Sequence, residues 1–278
     1  MEHPLFGYPN VVVTPHLGAS TTEATDRAGY QAAAQVGAAL TGGVVSSAVN
    51  VPAIPSEDLE ALGPFLPLAG HLGRIATALS QGTSVDALEV AYMGHVAERD
   101  TRLLTRQVLK GVLAGRTEEA VNDVNAPALA EERGIAVTET STERARDFTD
   151  LIRVTVVSGE DRSRVVGTVL GRRDRPHLLE AWGSRFNVQL ERELAVFRYR
   201  DQPGMIGRVG TTLGEAGVNI VSAAVGRQPG DGEEPDGRGE EPDGEAVMII
   251  TADAPVPQQV VEDIAAGEGF VAGRTVTL

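Results

Sequence analysis

The chain has 278 residues and a mass of 29.2 kDa, and 42% of it is hydrophobic, which fills real cores and is long for one compact domain. Its 24 basic and 39 acidic residues leave a formal charge of -15, which repels phosphate backbones and sets aside nucleic acid and anionic membrane as main partners. Cysteine is absent, so disulfides, thiolate nucleophiles and zinc–thiolate sites are excluded. No run approaches the roughly 18 apolar residues needed to span a bilayer. The opening Met1-Glu2-His3-Pro4 also lacks the layout of a signal peptide, so a cytoplasmic protein is expected.

Asn10-Val11-Val12-Val13-Thr14 is a β-branched run with the pattern of a strand buried on both faces, stopped by Pro15. Ser20-Thr21-Thr22-Glu23 has the spacing of a capping box, and an Ala-rich helix follows to about Leu40, ended by Thr41-Gly42-Gly43. One such strand and one helix cannot hide their apolar faces alone, so residues 1–54 read as the residual edge of a larger α/β, Rossmann-type domain. Pro52 to Glu57 reads as a linker.

From Asp58 to Gln81 apolar residues recur at helical spacing, with Pro64 and Pro67 expected to kink or delay the first turns. A strand is expected over Ala87–Met93, helices near Arg99–Ala114 and Glu118–Glu132, and strands over Ile135–Glu139, Leu151–Ser158, Arg164–Leu170 and around Phe186–Leu190. Hairpins rather than regular βα alternation suggest a separate α+β domain over residues 55–192. Residues 193–278 read as strand Leu194–Tyr199, helix Met205–Ala216, strands Val218–Val225 and Glu245–Ala252, helix Val256–Ala266 and strand Phe270–Thr277. That order is βαββαβ, a ferredoxin-like sandwich with two helices on one face of a four-stranded antiparallel sheet. The whole is α+β in class.

Between its second and third strands Gly232-Glu-Glu-Pro-Asp-Gly237 recurs as Gly239-Glu-Glu-Pro-Asp-Gly244. Seven acidic and two basic residues from Arg227 to Gly244 give this stretch a net charge of -5, about a third of the whole imbalance. Such Gly, Pro and acid-rich sequence cannot bury enough apolar surface to order itself, so a flexible hairpin tip is expected.

There is no G-x-G-x-x-G after a strand and no G-x-x-x-x-G-K-[ST], and the five histidines show no metal-ligand spacing. His16 stands out because it lies just after the strand-like run, in the turn to the helix, where open α/β sheets place ligand-contacting residues. A histidine there suits general acid/base work on a hydroxyl-to-carbonyl interconversion; the bland alternative is a turn residue bonded locally. In Tyr199-Arg200-Asp201-Gln202-Pro203-Gly204 and Gly217-Val218-Asn219-Ile220, Gly204 leaves room for a carboxylate at a helix start, Asp201 suits an ammonium and Asn219 donates and accepts. Those residues together suit a zwitterionic amino acid, or are no more than turn residues. Gly207, Gly210 and Gly214 are read as permitting close helix–sheet packing. Arg172, Arg173, Arg175, His177 and Arg185 concentrate positive charge on an acidic chain, as a phosphate site or as a solvated cluster.

Asn10-Val-Val-Val-Thr-Pro-His-Leu-Gly-Ala-Ser-Thr21, followed by Ala48-Val49-Asn50-Val51-Pro52, closely resembles the end of the catalytic region of the D-3-phosphoglycerate dehydrogenases, in the D-2-hydroxyacid dehydrogenase family. The middle region is similar to the anion-binding intervening domain of the long form, and Tyr199–Leu278 to its serine-sensing ACT domain. The resemblance implies that His16 is the catalytic histidine of an NAD-dependent oxidation of 3-phosphoglycerate in L-serine synthesis. It also implies that Tyr199, Asp201, Gly204 and Asn219 bind L-serine across a pair of ACT domains in a homo-oligomer, and that the middle domain takes a phosphorylated small anion. The family's supporting glutamate, carboxylate-binding arginine and glycine-rich NAD loop have no match here, so no cofactor and little or no activity are expected of this chain alone. A free-standing amino-acid-binding regulator without catalysis is the other reading; a metal-dependent enzyme has no ligand constellation behind it.

Overall fold

A computed structural model of the protein describes residues 3–40, 49, 56–145, 147–227 and 244–278. The chain divides into two compact units, Met1–Ala53 and Ile54–Leu278.

In the first unit a 3-10 turn at Pro4–Gly7 precedes an irregular, exposed stretch and the helix α1, Thr22–Leu40. The strand expected over Asn10–Thr14 is not there. Val12 is 90% and Val13 56% exposed, and no strand is present among the described residues of this unit. Without a ladder to join, β-branched residues have no neighbour against which a strand is favourable. α1 does run to Leu40, but its cap is one residue later than expected: the Thr21 hydroxyl accepts the Ala24 amide at 3.2 Å. None of its residues is buried. The helix stop at Thr41–Gly43 and most of the linker lie outside the described residues, as does nearly all of the acidic repeat.

The second unit begins with α2, Ser56–Leu62, and α3, Phe65–Leu79. These replace the single long helix expected, because the turn at Gly63-Pro64 breaks it; Pro67 is tolerated in the first turn of α3, where its missing amide has no partner to lose. The remaining elements are β1 Ala87–Gly94, α4 Arg102–Leu113, α5 Ala126–Glu132, β2 Ala136–Thr142, β3 Asp150–Ser158, β4 Asp161–Leu170, β5 Arg175–Ala181, β6 Ser184–Gln189, β7 Glu193–Arg200, α6 Met205–Glu215, β8 Ile220–Arg227, β9 Glu245–Ala252, α7 Gln258–Ala265 and β10 Phe270–Thr277. α5 starts later than its sequence suggests. The Asn122 side chain accepts the amides of Val124 and Asn125, a local turn that competes with helix, and Pro127 then enters the first turn. β5 was not foreseen. β1 and β2 pair in parallel, the one parallel pair among the described residues, with α4 and α5 as the crossover.

Among the described residues the strands form one ten-stranded sheet in the order β10-β7-β9-β8-β6-β5-β4-β3-β1-β2. α3 and α4 cover one face of its first half, where Leu88, Val90, Tyr92, Ile152, Val154 and Val156 are buried. The two helices touch backbone to backbone. A Cβ on Gly73 would lie 2.2 Å from the Val108 carbonyl oxygen, and one on Gly111 would lie 2.1 Å from that of Gly70. The second half, β10-β7-β9-β8, is fully antiparallel and has α6 and α7 packed on it, the βαββαβ arrangement read from the sequence. Its core alternates by strand position: Ala195, Phe197 and Tyr199 on β7 and Ala246, Met248 and Ile250 on β9 meet Met205, Val209 and Leu213 of α6 and Val261 and Ile264 of α7. Leu194, Val196, Val247 and Ile249, pointing the other way, are buried too, so β9 reads as an almost unbroken apolar run. The halves join where Arg185 of β6 pairs with Arg227 of β8. Gly226 is required there, since its Cβ would lie 2.3 Å from the Arg185 carbonyl oxygen.

Candidate functional site

The βαββαβ half places its turn residues at two opposite ends. Asp201 follows β7, and its carboxylate pairs with Arg227 at the end of β8. Gly204, at φ 92, sets the left-handed turn that opens α6 and contributes no capping side chain, so the first amides of the helix are free of one. The space beside Gly204 is open, because an added Cβ would meet nothing within 4 Å. This end of the molecule presents a helix N-terminus next to an acid–base pair, an environment for a carboxylate and an ammonium.

Asn219 lies at the far end. It follows α6, and its side-chain amide donates to the Asp253 carboxylate at 2.9 Å, beyond the end of β9. The register separates the two ends by the length of β8: Arg227 is opposite Ala246 and Ile220 opposite Ala252. An eight-residue strand spans about 25 Å, so one chain does not bring Asp201 and Asn219 around one small molecule. Tyr199 is corrected. Only 2% of it is exposed, its ring packs 5.9 Å from that of Phe270 in the core, and burial, with the Asp201 charge second, pushes its phenol pKa up. It holds the end of β7 in place rather than offering an open contact.

The three glycines of α6 are a second correction. Gly207, Gly210 and Gly214 do not touch the sheet; an added Cβ at any of them would meet nothing within 4 Å. They lie on a helix whose Ile206 is 60% exposed, beside β8, where Val221 and Val225 are exposed as well.

The arginines named from sequence do not form one cluster. Arg172 and Arg173 lie in the exposed β4–β5 turn and Arg175 opens β5, while the His177 ring bonds the Asn187 side-chain oxygen at 2.7 Å. Arg185 sits at the other end of that hairpin, opposite Glu180 and beside the small apolar recess of Phe148, Leu179 and Phe186.

Four other arginines do converge. Arg153 of β3, Arg162 and Arg164 of β4 and Arg198 of β7 line a cavity of about 540 Å³, with Trp182 of the β5–β6 turn on its wall. The signal was present in the sequence. Arg153-x-Thr155 and Arg162-x-Arg164 place polar groups at alternate strand positions, which share one face.

His16 is exposed in the turn before α1 and makes no hydrogen bond or ion pair with the described residues. Neither the sequence nor the described surroundings of His16 supply a glycine-rich strand–turn–helix cradle, so the residues present do not fit a dinucleotide. Among the described residues no group of three or more His, Asp or Glu side chains is placed to hold a metal, and no helix is long and apolar enough to cross a membrane.

Comparison with known proteins finds relatives for both halves of the sheet. Residues 61–180 match the D-3-phosphoglycerate dehydrogenase intervening domain and residues 194–266 the ACT domain. The chain is 38% identical over 263 residues to D-3-phosphoglycerate dehydrogenase of Methanocaldococcus jannaschii, covering 95% of this chain and 47% of that protein. The Mycobacterium tuberculosis protein of the same name is 36% identical over 268 residues, covering 95% and 48%. That of Archaeoglobus fulgidus is 31% identical over 277 residues, covering 100% and 50%. The chain thus spans about half the length of these relatives, and it matches a C-terminal part of the D-3-phosphoglycerate dehydrogenases, with their intervening domain followed by an ACT domain.

Proposed function

We propose that residues 193–278 form a regulatory domain that binds L-serine between two copies of the chain, residues 55–192 an intervening domain that takes a small anion, and residues 1–54 a piece of a catalytic region. The observation that carries the reading is the separation of Asp201 and Gly204 from Asn219 by the whole of β8. Between them the outer edge of β8 is paired to β6 only at Arg227, and it carries exposed Val221 and Val225. Two β8 edges laid side by side antiparallel would bring the open α6 N-terminus of one copy to the Asn219 end of the other. The side-chain-free stripe of Gly207, Gly210 and Gly214 would let the two helices approach. Serine would offer its carboxylate to the α6 amides and its ammonium to Asp201, displacing Arg227, while Asn219 of the second copy would bond the remaining polar groups.

In this reading the complete enzyme oxidises 3-phosphoglycerate to 3-phosphohydroxypyruvate with NAD in the cytoplasm, and His16 is its acid/base group. The domain reports end product as a coupling free energy between distant sites. Arg172, Arg173, Arg175 and His177 are the intervening domain's exposed anion patch, with Arg185 apart from it.

L-serine is expected to raise the thermal midpoint of the chain and to increase its dimer fraction in sedimentation, since a ligand that binds only the folded assembly stabilises it. Asp201→Ala and Asn219→Ala should each abolish both effects. Unchanged responses in those variants would remove the site assignment. Robust NAD-dependent oxidation of 3-phosphoglycerate by the pure chain would overturn the expectation that it is inactive alone.

A further inference from the structure

β2 closes one end of the ten-stranded sheet and β10 the other. An edge strand presents unpaired amides and carbonyls, and folded chains blunt it with a bulge, a proline or a basic side chain. β10 is blunted in this way: its register slips between Phe270 and Ala272, and Gly273 and Arg274 follow. β2 carries none of these devices. Its seven residues pair with β1 without a break, include no proline and no basic residue, and are all exposed. Its one charged side chain, Glu139, is turned to the start of α4, where it accepts the Thr101 hydroxyl at 3.4 Å. Among the described residues no strand pairs with the outer side of β2.

What this edge fits follows from its side chains. Alternation puts Thr138, Thr140 and Thr142 on one face and Val137, Glu139 and Ser141 on the other, the latter beside Leu88, Val90 and Tyr92 of β1. A foreign peptide added to an edge is selected by pockets for its alternate side chains, whereas β2 offers mainly hydroxyls. A second copy needs no such pocket, because antiparallel pairing about a two-fold axis makes every contact twice. Faces match only in registers that set one residue opposite itself. Centred on Glu139, two carboxylates meet. Centred on Thr138, each carboxylate meets the apolar Val137. Centred on Thr140, Thr140 meets Thr140, each Thr138 meets a Thr142, and each Glu139 meets a Ser141 hydroxyl. That last register lines one face with threonine pairs and opposes no like charges along the strand.

We propose that β2 is a self-pairing edge, through which two copies of the chain join antiparallel in the register centred on Thr140, making one continuous sheet of their two. The contact goes beyond the serine-sensing reading and does not depend on it, since it uses a different strand from β8 and needs no ligand. A pair of seven-residue strands buries less than the roughly 1,200 Å² of a stable interface, so the association is weak and concentration-dependent. Together with a contact through β8 it gives the chain two different two-fold axes, the requirement for a tetramer built from two kinds of dimer.

The absence of cysteine makes the register directly measurable. Residues directly opposite in antiparallel strands have Cα atoms about 4.5–5.5 Å apart, within reach of a disulfide. Thr140→Cys alone is therefore expected to give a disulfide-linked dimer on oxidation. Thr138→Cys and Thr142→Cys should each stay monomeric alone and cross-link when mixed. Thr140→Lys sets lysine opposite lysine and should remove the dimer that the parent forms without serine as its concentration is raised in sedimentation. Its circular dichroism melt should match the parent, because the side chain is exposed. The same variant should still respond to serine through β8, so failure of either contact is read separately from failure of the other. Should Thr140→Lys melt early, the mixed-cysteine experiment carries the test. A parent that stays monomeric at every concentration and a Thr140→Cys chain that does not cross-link overturn the proposal and leave the edge to a strand of another protein. Cross-linking of Thr138→Cys alone overturns the register, and with it the self-pairing argued from it.

Discussion

The N-terminal unit and the βαββαβ half use similar residues and arrive at opposite results. Val11-Val12-Val13 and Val247-Met248-Ile249-Ile250 are both runs of β-forming side chains, but the first is irregular, with Val12 and Val13 exposed, while the second is a fully buried strand. α1 has Tyr30, Val36 and Leu40 in solvent, whereas α6, shorter and richer in glycine, buries Met205, Val209 and Leu213. Side-chain preference is alike in the two regions. What differs is the presence of a packed partner, which is where most helix and strand stability originates.

That difference can be broken by truncation. Phe197→Ala empties a site in the βαββαβ core and should cost about 3–5 kcal/mol, the range for a large aromatic removed from a packed interior. Val12→Ala should stay within about 0.5 kcal/mol, because the side chain is exposed. Denaturant melts of the two variants measure the contrast, and equal losses would mean that residues 10–14 are packed after all. Glycine sharpens the comparison by reversing sign. Gly111→Ala drives a methyl into the Gly70 carbonyl and should destabilise by about 1–3 kcal/mol as α3 and α4 separate. Gly29→Ala in α1 meets nothing within 4 Å and should leave stability unchanged or raise it by up to about 1 kcal/mol.

A smaller effect separates two tyrosines. The Tyr92 hydroxyl and the Thr105 hydroxyl share a buried hydrogen bond of 2.7 Å, and burial pushes the phenol pKa upward. Tyr92→Phe strands the Thr105 oxygen and should cost about 1–3 kcal/mol; adding Thr105→Val should recover most of it, since no polar atom is then left unpaired. Tyr30→Phe, on the exposed helix, should show neither the loss nor the recovery.

How far the sequence could be read follows the same line. In residues 193–278 every element has a partner nearby in the chain, and β9 and β10 fall where the pattern puts them. β5 was missed because Arg175-Pro176-His177 looks like a turn or a basic patch until the register with β4 and β6 is known. The sequence marks Asp201, Gly204 and Asn219, but not that a 25 Å strand lies between them, because spacing along a chain carries no distance across a sheet. The arginine cavity shows the converse. Its residues alternate plainly on β3 and β4, yet Arg198 and Trp182 join them only through the fold of the whole sheet.

The smallest expected effect concerns a histidine placed within the packed region. His71 lies on α3, half-buried, with its Nδ1 buried and without a hydrogen-bond partner among the described residues. Burial, and then the neighbouring Arg74 charge, lower its pKa below the ordinary 6.5. In the folded chain the ring therefore stays neutral over a range where the unfolded chain has already taken up a proton. Since the unfolded state binds more protons there, stability from this group is complete above about pH 6.5 and is lost as pH falls through that value, until the folded pKa is passed. Carboxylates titrating over the same range affect parent and variant alike, so the difference between them isolates the ring. His71→Asn should flatten the decline of the thermal midpoint between pH 7 and 5 relative to the parent chain, and parallel curves would show that α3 carries no such burial penalty on charging.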